Sequence, residues 1–122
     1  MKKLVILCAL AFFAVACETK VDMTWEFTKA LDTANPTIGL YDHTDSNALL
    51  AAVTLDDAVK TVTVSCTSGN SICFGGDFTL VGEEFAIGCG ADCADYDAAY
   101  AAEWCAECEE TTVKITFDNF LK

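Results

Sequence analysis

The chain has 122 residues, nineteen acidic side chains against seven basic ones, a formal net charge of −12 and no arginine. An acidic surface repels polyanions and lacks the guanidinium preferred in bidentate phosphate and guanine recognition, which excludes nucleic-acid binding. A chain of this length holds one small domain with a thin core.

Met1-Lys2-Lys3 gives a positive start, and residues 4–15 form a nearly unbroken apolar run closing in Ala14-Val15-Ala16. This is the pattern of a secretory signal peptide. The run is shorter than the roughly 20 apolar residues a spanning helix needs, and no later segment approaches that length, so no integral membrane span is expected. Cleavage after Ala16 or after Cys17 divides the chain into a leader, 1–16, and one disulfide-stabilised domain, 17–122. Ala14-Val15-Ala16-Cys17 resembles a bacterial lipobox, with Ala14 in place of the usual leucine. The resemblance implies a diacylated Cys17 thiol. The expected location is therefore secreted, or lipid-anchored at the cell surface or in the periplasm. Without the leader, five lysines face nineteen acids, a net charge of −14. That charge repels anionic membranes, so membrane contact is expected only through a lipid on Cys17.

Beyond the leader the dominant period is two. Val21-Asp22-Met23-Thr24-Trp25-Glu26-Phe27-Thr28 alternates strictly, as do Val113-Lys114-Ile115-Thr116-Phe117-Asp118 and Val62-Thr63-Val64-Ser65-Cys66. Alternation of this kind predicts half-buried strands. Further strands are predicted over 38–41, 49–55, 72–80 and 84–87; residues 47–53 alternate poorly enough to suit a short helix as well. Asp56-Asp57 and Thr67-Ser68-Gly69-Asn70 read as hairpin turns. Gly75-Gly76 and Gly88-Cys89-Gly90 read as bends or bulges within strand-rich structure. Residues 92–110 are alanine-rich, free of Gly and Pro, and space Tyr96, Tyr100, Trp104 and Cys108 four apart. That spacing predicts an amphipathic helix whose aromatic stripe lies on a sheet. The predicted fold is mainly β: a small antiparallel β-sandwich with one Cys-rich amphipathic helix before the last strand. The alternative is an α+β layer of one helix on one sheet.

Cys8 belongs to the leader and Cys17 to its processing point. Cys66, Cys73, Cys89, Cys93, Cys105 and Cys108 remain, an even set in a short exported chain and hence a disulfide framework. Fifteen connectivities are open. Cys66 and Cys73 flank one turn and are the favoured pair. A continuous helix would hold Cys93 and Cys105 about 18 Å apart, beyond the roughly 7 Å a disulfide spans. The helix is then broken, or its two ends bond elsewhere.

Four other readings compete for these residues. Trp104-Cys105-Ala106-Glu107-Cys108 resembles the W-C-x-x-C site of thioredoxin-like oxidoreductases, over those five residues, and the resemblance implies thiol–disulfide exchange. In that family the motif opens a helix after a strand. Here it closes one, among Glu103, Glu107, Glu109 and Glu110, which oppose the thiolate such chemistry requires. Cys89-x3-Cys93 and Cys105-x2-Cys108 approximate a four-cysteine zinc spacing, but an oxidising compartment favours disulfides. Asp92 and Asp95 are calcium candidates without the alternation of an EF-hand loop, set against solvated surface carboxylates. The one histidine, His43, reads as a polar turn residue rather than part of a triad, since no G-x-S-x-G elbow exists.

No catalytic residue, metal or other cofactor is assigned from the sequence. The function expected is non-enzymatic: binding, adhesion or surface structure, toward an extracellular ligand or surface component the sequence leaves open. The alternatives are an oxidoreductase using Cys105 and Cys108, or a secreted effector or inhibitor.

Overall fold

A computed structural model describes residues 4–7, 18–29, 35–80 and 82–117. These residues form a small β-sandwich with one short helix before the last strands. The strands are β1 (Leu4–Leu7), β2 (Glu18–Lys29), β3 (Thr37–Asp42), β4 (Ala48–Thr54), β5 (Val59–Thr67), β6 (Ser71–Leu80), β7 (Glu83–Gly88), β8 (Cys105–Glu107) and β9 (Thr112–Phe117). The helix α1 spans Ala101–Trp104 and continues a 3-10 turn at Ala98–Tyr100. Cys8, Cys17, the cleavage point and Asp118 lie outside the described residues.

Both sheets follow one plan. In the first, β2 pairs along its length with β5, while β1 and β9 lie on its opposite edge. In the second, β6 pairs with β3, which carries β4, and β7 and β8 lie on the opposite edge of β6. All pairings are antiparallel except β2 with β9.

The alternation in β2 decides the core. Val21, Met23, Trp25 and Phe27 point inward and are buried, meeting Ile38, Leu40, Ile72, Phe74, Phe78 and Ile87 of the second sheet. Phe74 stands edge-on to both Trp25 and Phe27, at 6.2 and 6.0 Å between ring centroids. That is the geometry aromatic quadrupoles prefer. Lys29 continues the inward phase but keeps its charge satisfied, with Nζ donating to Asn35 Oδ1 at 2.8 Å.

Two local expectations change, and one open alternative is decided, for physical reasons. The turns at 56–57 and 67–70 are corners between the sheets, not hairpins: β4 and β6 lie in one sheet and β5, between them, in the other. At the first corner Asp56 and Lys60 pair at 2.7 Å. The Lys60 hydrogen bond lowers the Asp56 carboxyl, and Asp56 raises the Lys60 ammonium. The Asp56 contribution is present above the ordinary carboxylate range and fades as pH falls through its lowered value. That of Lys60 holds below the ordinary lysine range and fades as pH rises through its raised one. Both groups are exposed, so either effect is small.

The strand predicted over 49–55 forms as Ala48–Thr54, in place of the alternative short helix over 47–53, and it carries a bulge. Leu40 faces Ala51 but Tyr41 faces Leu49, so Leu50 is the extra residue. The bulge breaks the period of two and lets Leu50 and Ala51 both pack on the core, while Leu49 is left 59% exposed.

The helix expected over 92–110 shrinks to one α-helical turn and the 3-10 turn before it. Asp92 and Cys93, in a separate 3-10 turn at Ala91–Cys93, are left-handed, at φ 55° and 54°, which no continuous α-helix allows. Cys105 turns extended and pairs with Cys73 on β6.

The pairings are Cys66–Cys108, Cys73–Cys105 and Cys89–Cys93; none of the described cysteines is free. The favoured pair Cys66–Cys73 is not formed. Cys66 faces the core, whereas Cys73 joins a second cluster with Tyr41, Cys89 and Cys93. In a strand, residues an odd number apart face opposite sides, and the corner between them adds a change of sheet.

Loop-closure entropy ranks the bonds. Cys66–Cys108 closes 42 residues and Cys89–Cys93 only 4, worth about 4 and about 2 kcal/mol respectively. Replacing Cys66 and Cys108 together with alanine should therefore lower stability in guanidinium denaturation about twice as much as replacing Cys89 and Cys93. Equal losses would contradict the assigned pairing.

Candidate functional site

Two surfaces arise from this plan. The first is the outer face of the second sheet, where the chain from Cys89 to Cys105 lies back over β3 and β6. Close approach requires glycine: a Cβ on Gly75 would strike the Gly90 carbonyl and Cys89 Sγ, and one on Gly39 would meet the Tyr41 ring at 2.6 Å. Gly75 thus serves contact, not the bend its sequence suggested. Tyr41, Cys73, Cys89 and Cys93 form a second buried cluster there, with Tyr96, Trp104 and Cys105 packed against it. The Tyr41 hydroxyl accepts from the Asp92 N–H at 2.9 Å. His43 stacks on Tyr96 at 3.7 Å, and its Nδ1 lies 2.7 Å from Asn47 Oδ1. The histidine is thereby held in a turn, as a packed ring.

The disulfides separate the cysteines that sequence spacing grouped. Cys105 and Cys108 do not bond each other: one joins β6, the other β5. Cys89 and Cys93 bond together, so the four-thiol zinc spacing is taken up in three separate bonds. Among the described residues no three His, Cys, Asp or Glu side chains gather as a metal site would require. Asp92 is exposed, and the Asp95 carboxyl packs over Gly90 while its N–H donates to the Cys89 carbonyl at 2.7 Å.

The second surface is a cleft of about 520 Å³ that shares Trp104 with the first. Phe74, Phe78, Ile87, Trp104, Ile115 and Phe117 give it an apolar, largely aromatic part of its lining. Glu103 and Lys114 place opposite charges in its lining. Phe117 stacks on Phe27 and stands edge-on to Phe74 at 5.7 Å, so this lining continues the aromatic core. Trp104 stacks on Tyr100, one helical turn earlier, at 5.2 Å. The adjacent Cys105 bond to β6 fixes where that ring stands.

The walls are strand edges. Consecutive residues contribute from each, Ala86-Ile87-Gly88 of β7 and Lys114-Ile115-Thr116-Phe117 of β9. Among the described residues β7 pairs only with β6, and β9 only with β2. The Thr24 N–H donates to the Thr111 carbonyl, so odd residues of β9 turn their backbone to β2. Lys114 and Thr116 then turn theirs to the cleft. By the same alternation, with the Cys89 N–H on the Phe74 carbonyl, Ala86 and Gly88 face it from β7. Periodicity marked these side chains as core but gave no sign of which strands would be edges. Trp104 alone was singled out, through its aromatic stripe.

No protein-family model, curated protein or solved structure matches this chain. The site therefore rests on its own geometry. Among the described residues no helix is long and apolar enough to cross a membrane, and three disulfides in so small a domain suit an oxidising, extracellular-type environment.

Trp104 lines the cleft and is half-buried, whereas Trp25 is fully buried. Acrylamide should quench the emission of a Trp25→Phe variant strongly and that of Trp104→Phe weakly. Equal quenching would mean that the cleft is closed.

Proposed function

We propose that this protein is an exported, non-enzymatic binding domain whose ligand is an extended polypeptide segment carrying bulky apolar side chains. The observation that carries the reading is the construction of the cleft. Its two walls turn unpaired strand edges toward an aromatic lining. Strand addition draws affinity from main-chain hydrogen bonds and specificity from pockets for alternate side chains. The cleft between β7 and β9 offers both. The leader-like segment 1–16 supports export from the cytoplasm, with a lipid on Cys17 as the anchored form. Intact mass of exported material distinguishes a chain acylated at Cys17 from one that is not.

The competing oxidoreductase reading needs Cys105 and Cys108 to exchange a bond with each other. Cys66 and Cys108 are fully buried, which shields their bond from an attacking thiolate. Exchange with a glutathione buffer should leave the Cys66–Cys108 bond intact.

A random-peptide display selection on the oxidised domain tests the binding reading. Enriched peptides should alternate large apolar residues with polar ones. Thr116→Pro removes an N–H on the open edge, where proline is tolerated, and should cut capture about tenfold or more while leaving the melting temperature nearly unchanged. A selection with no enrichment, or undiminished capture by the proline variant, would overturn the reading.

A further inference from the structure

We propose that the edge of β2 from Glu18 to Val21 is a strand-acceptor site for a short apolar extended segment. In the unprocessed chain the leader supplies that segment as Leu4–Leu7; once the leader is removed, another polypeptide chain supplies it. The proposal goes beyond the cleft and rests on the leader reading of residues 1–16, not on any cleft ligand.

The register carries it. β1 lies antiparallel on β2 with Leu4 opposite Val21, Val5 opposite Lys20, Ile6 opposite Thr19 and Leu7 opposite Glu18. Backbone hydrogen bonds fix which groups face this edge. The Thr19 carbonyl accepts from the Ser68 N–H and the Lys29 N–H donates to the Ala58 carbonyl, both on the β5 side. The Thr24 N–H donates to the Thr111 carbonyl on the β9 side. Odd residues of β2 therefore turn to β5, and even residues to the edge shared by β1 and β9. Glu18 and Lys20 bond to Leu7 and Val5, and removing the leader strips the partner from two N–H and two C=O groups. Backbone groups of that kind do not stay unpaired when buried, and a sheet edge presenting them is a template for another strand.

The slot has defined limits. β9 takes over the same edge with Thr112 opposite Thr24, so an incoming strand has about four residues of room. The second sheet shows the contrast. There β7 and β8 fill the β6 edge in the same end-to-end way, but the Cys73–Cys105 bond locks β8 to its neighbour. No disulfide among the described residues ties β1 to β2. Leu-Val-Ile-Leu also defines the occupant's chemistry: uncharged and rich in branched side chains that suit a pleated strand. Because Glu18 follows Cys17 directly, a lipid on Cys17 would hold the slot close to a membrane surface.

Amide hydrogen exchange in the full oxidised chain tests this directly. The Lys20 amide donates to the Val5 carbonyl, and Val5→Pro removes the reciprocal N–H to the Lys20 carbonyl. The substitution also sets its ring against the β2 edge, which unseats the pair, so the Lys20 amide should exchange about tenfold faster or more. The Trp25 amide turns to β5 and should be unaffected. A chain of residues 17–122 with Cys17→Ser should show the same fast Lys20 exchange. Adding a peptide of residues 2–7 should slow it again, and the Val5→Pro peptide should not. An unchanged Lys20 rate in the Val5→Pro chain, or equal protection by both peptides, would overturn the proposal. Thr116→Pro should leave these rates alone, so failure here and failure of the cleft reading are separable.

Discussion

The structure depends on one knot at the corner between β5 and β6. Cys66 lies just before that corner and Cys73 just after it. They bond to Cys108 and Cys105, only three residues apart in the chain. The Gly69 N–H donates to the Cys108 carbonyl and the Cys108 N–H to the Asn70 carbonyl, so the backbone is tied there as well. Asn70 passes the constraint on through Asp42, whose carboxylate accepts from Asn70 Nδ2 and from the Asp45 N–H. One short stretch thereby fastens β5, β6 and the end of β3 together. A core this small contributes little surplus stability, and covalent closure of long loops compensates through the unfolded chain.

The knot also explains the asymmetry of the sandwich. The Cys66–Cys108 bond and the corners join the sheets, whereas Cys73–Cys105 closes within the second sheet. The outer edges of β7 and β9 have no strand partner among the described residues, and the aromatic core opens into the cleft between them. A sandwich with weakly joined sheets would close such a gap by sliding one sheet over the other. Fixing Cys105 against β6 sets where α1 ends and hence where Trp104 stands. The same residue packs on both buried clusters, so the covered outer face and the open cleft share a hinge point in the fold.

Much of this was legible wherever one face of a strand is buried and the other wet. Val21 to Phe27, Val62 to Cys66 and Val113 to Phe117 announced their strands through a period of two. What escaped depends on partners distant in the chain. The Leu50 bulge exists because of its pairing with β3, and it blurred the alternation of β4, which left strand and short helix both open there. The corners at 56–57 and 67–70 use the same residues as hairpin turns, and nothing local says that the chain changes sheets. Residues 92–110 have helical composition, but two left-handed residues and the distant partners of Cys105 and Cys108 override it. The cleft was illegible for the simplest reason: inward side chains look alike in a sequence whether they meet another sheet or open space.

The pairing of Cys105 with β6 and of Cys108 with β5 underlies both the open cleft and the non-redox reading of Trp104-Cys105-Ala106-Glu107-Cys108. Proteolysis of the oxidised protein without reduction, followed by mass spectrometry of the linked peptides, measures that pairing directly. Fragments joining Cys66 to Cys108, Cys73 to Cys105 and Cys89 to Cys93 are the predicted result. A fragment with Cys105 bonded to Cys108, or Cys66 to Cys73, would contradict it.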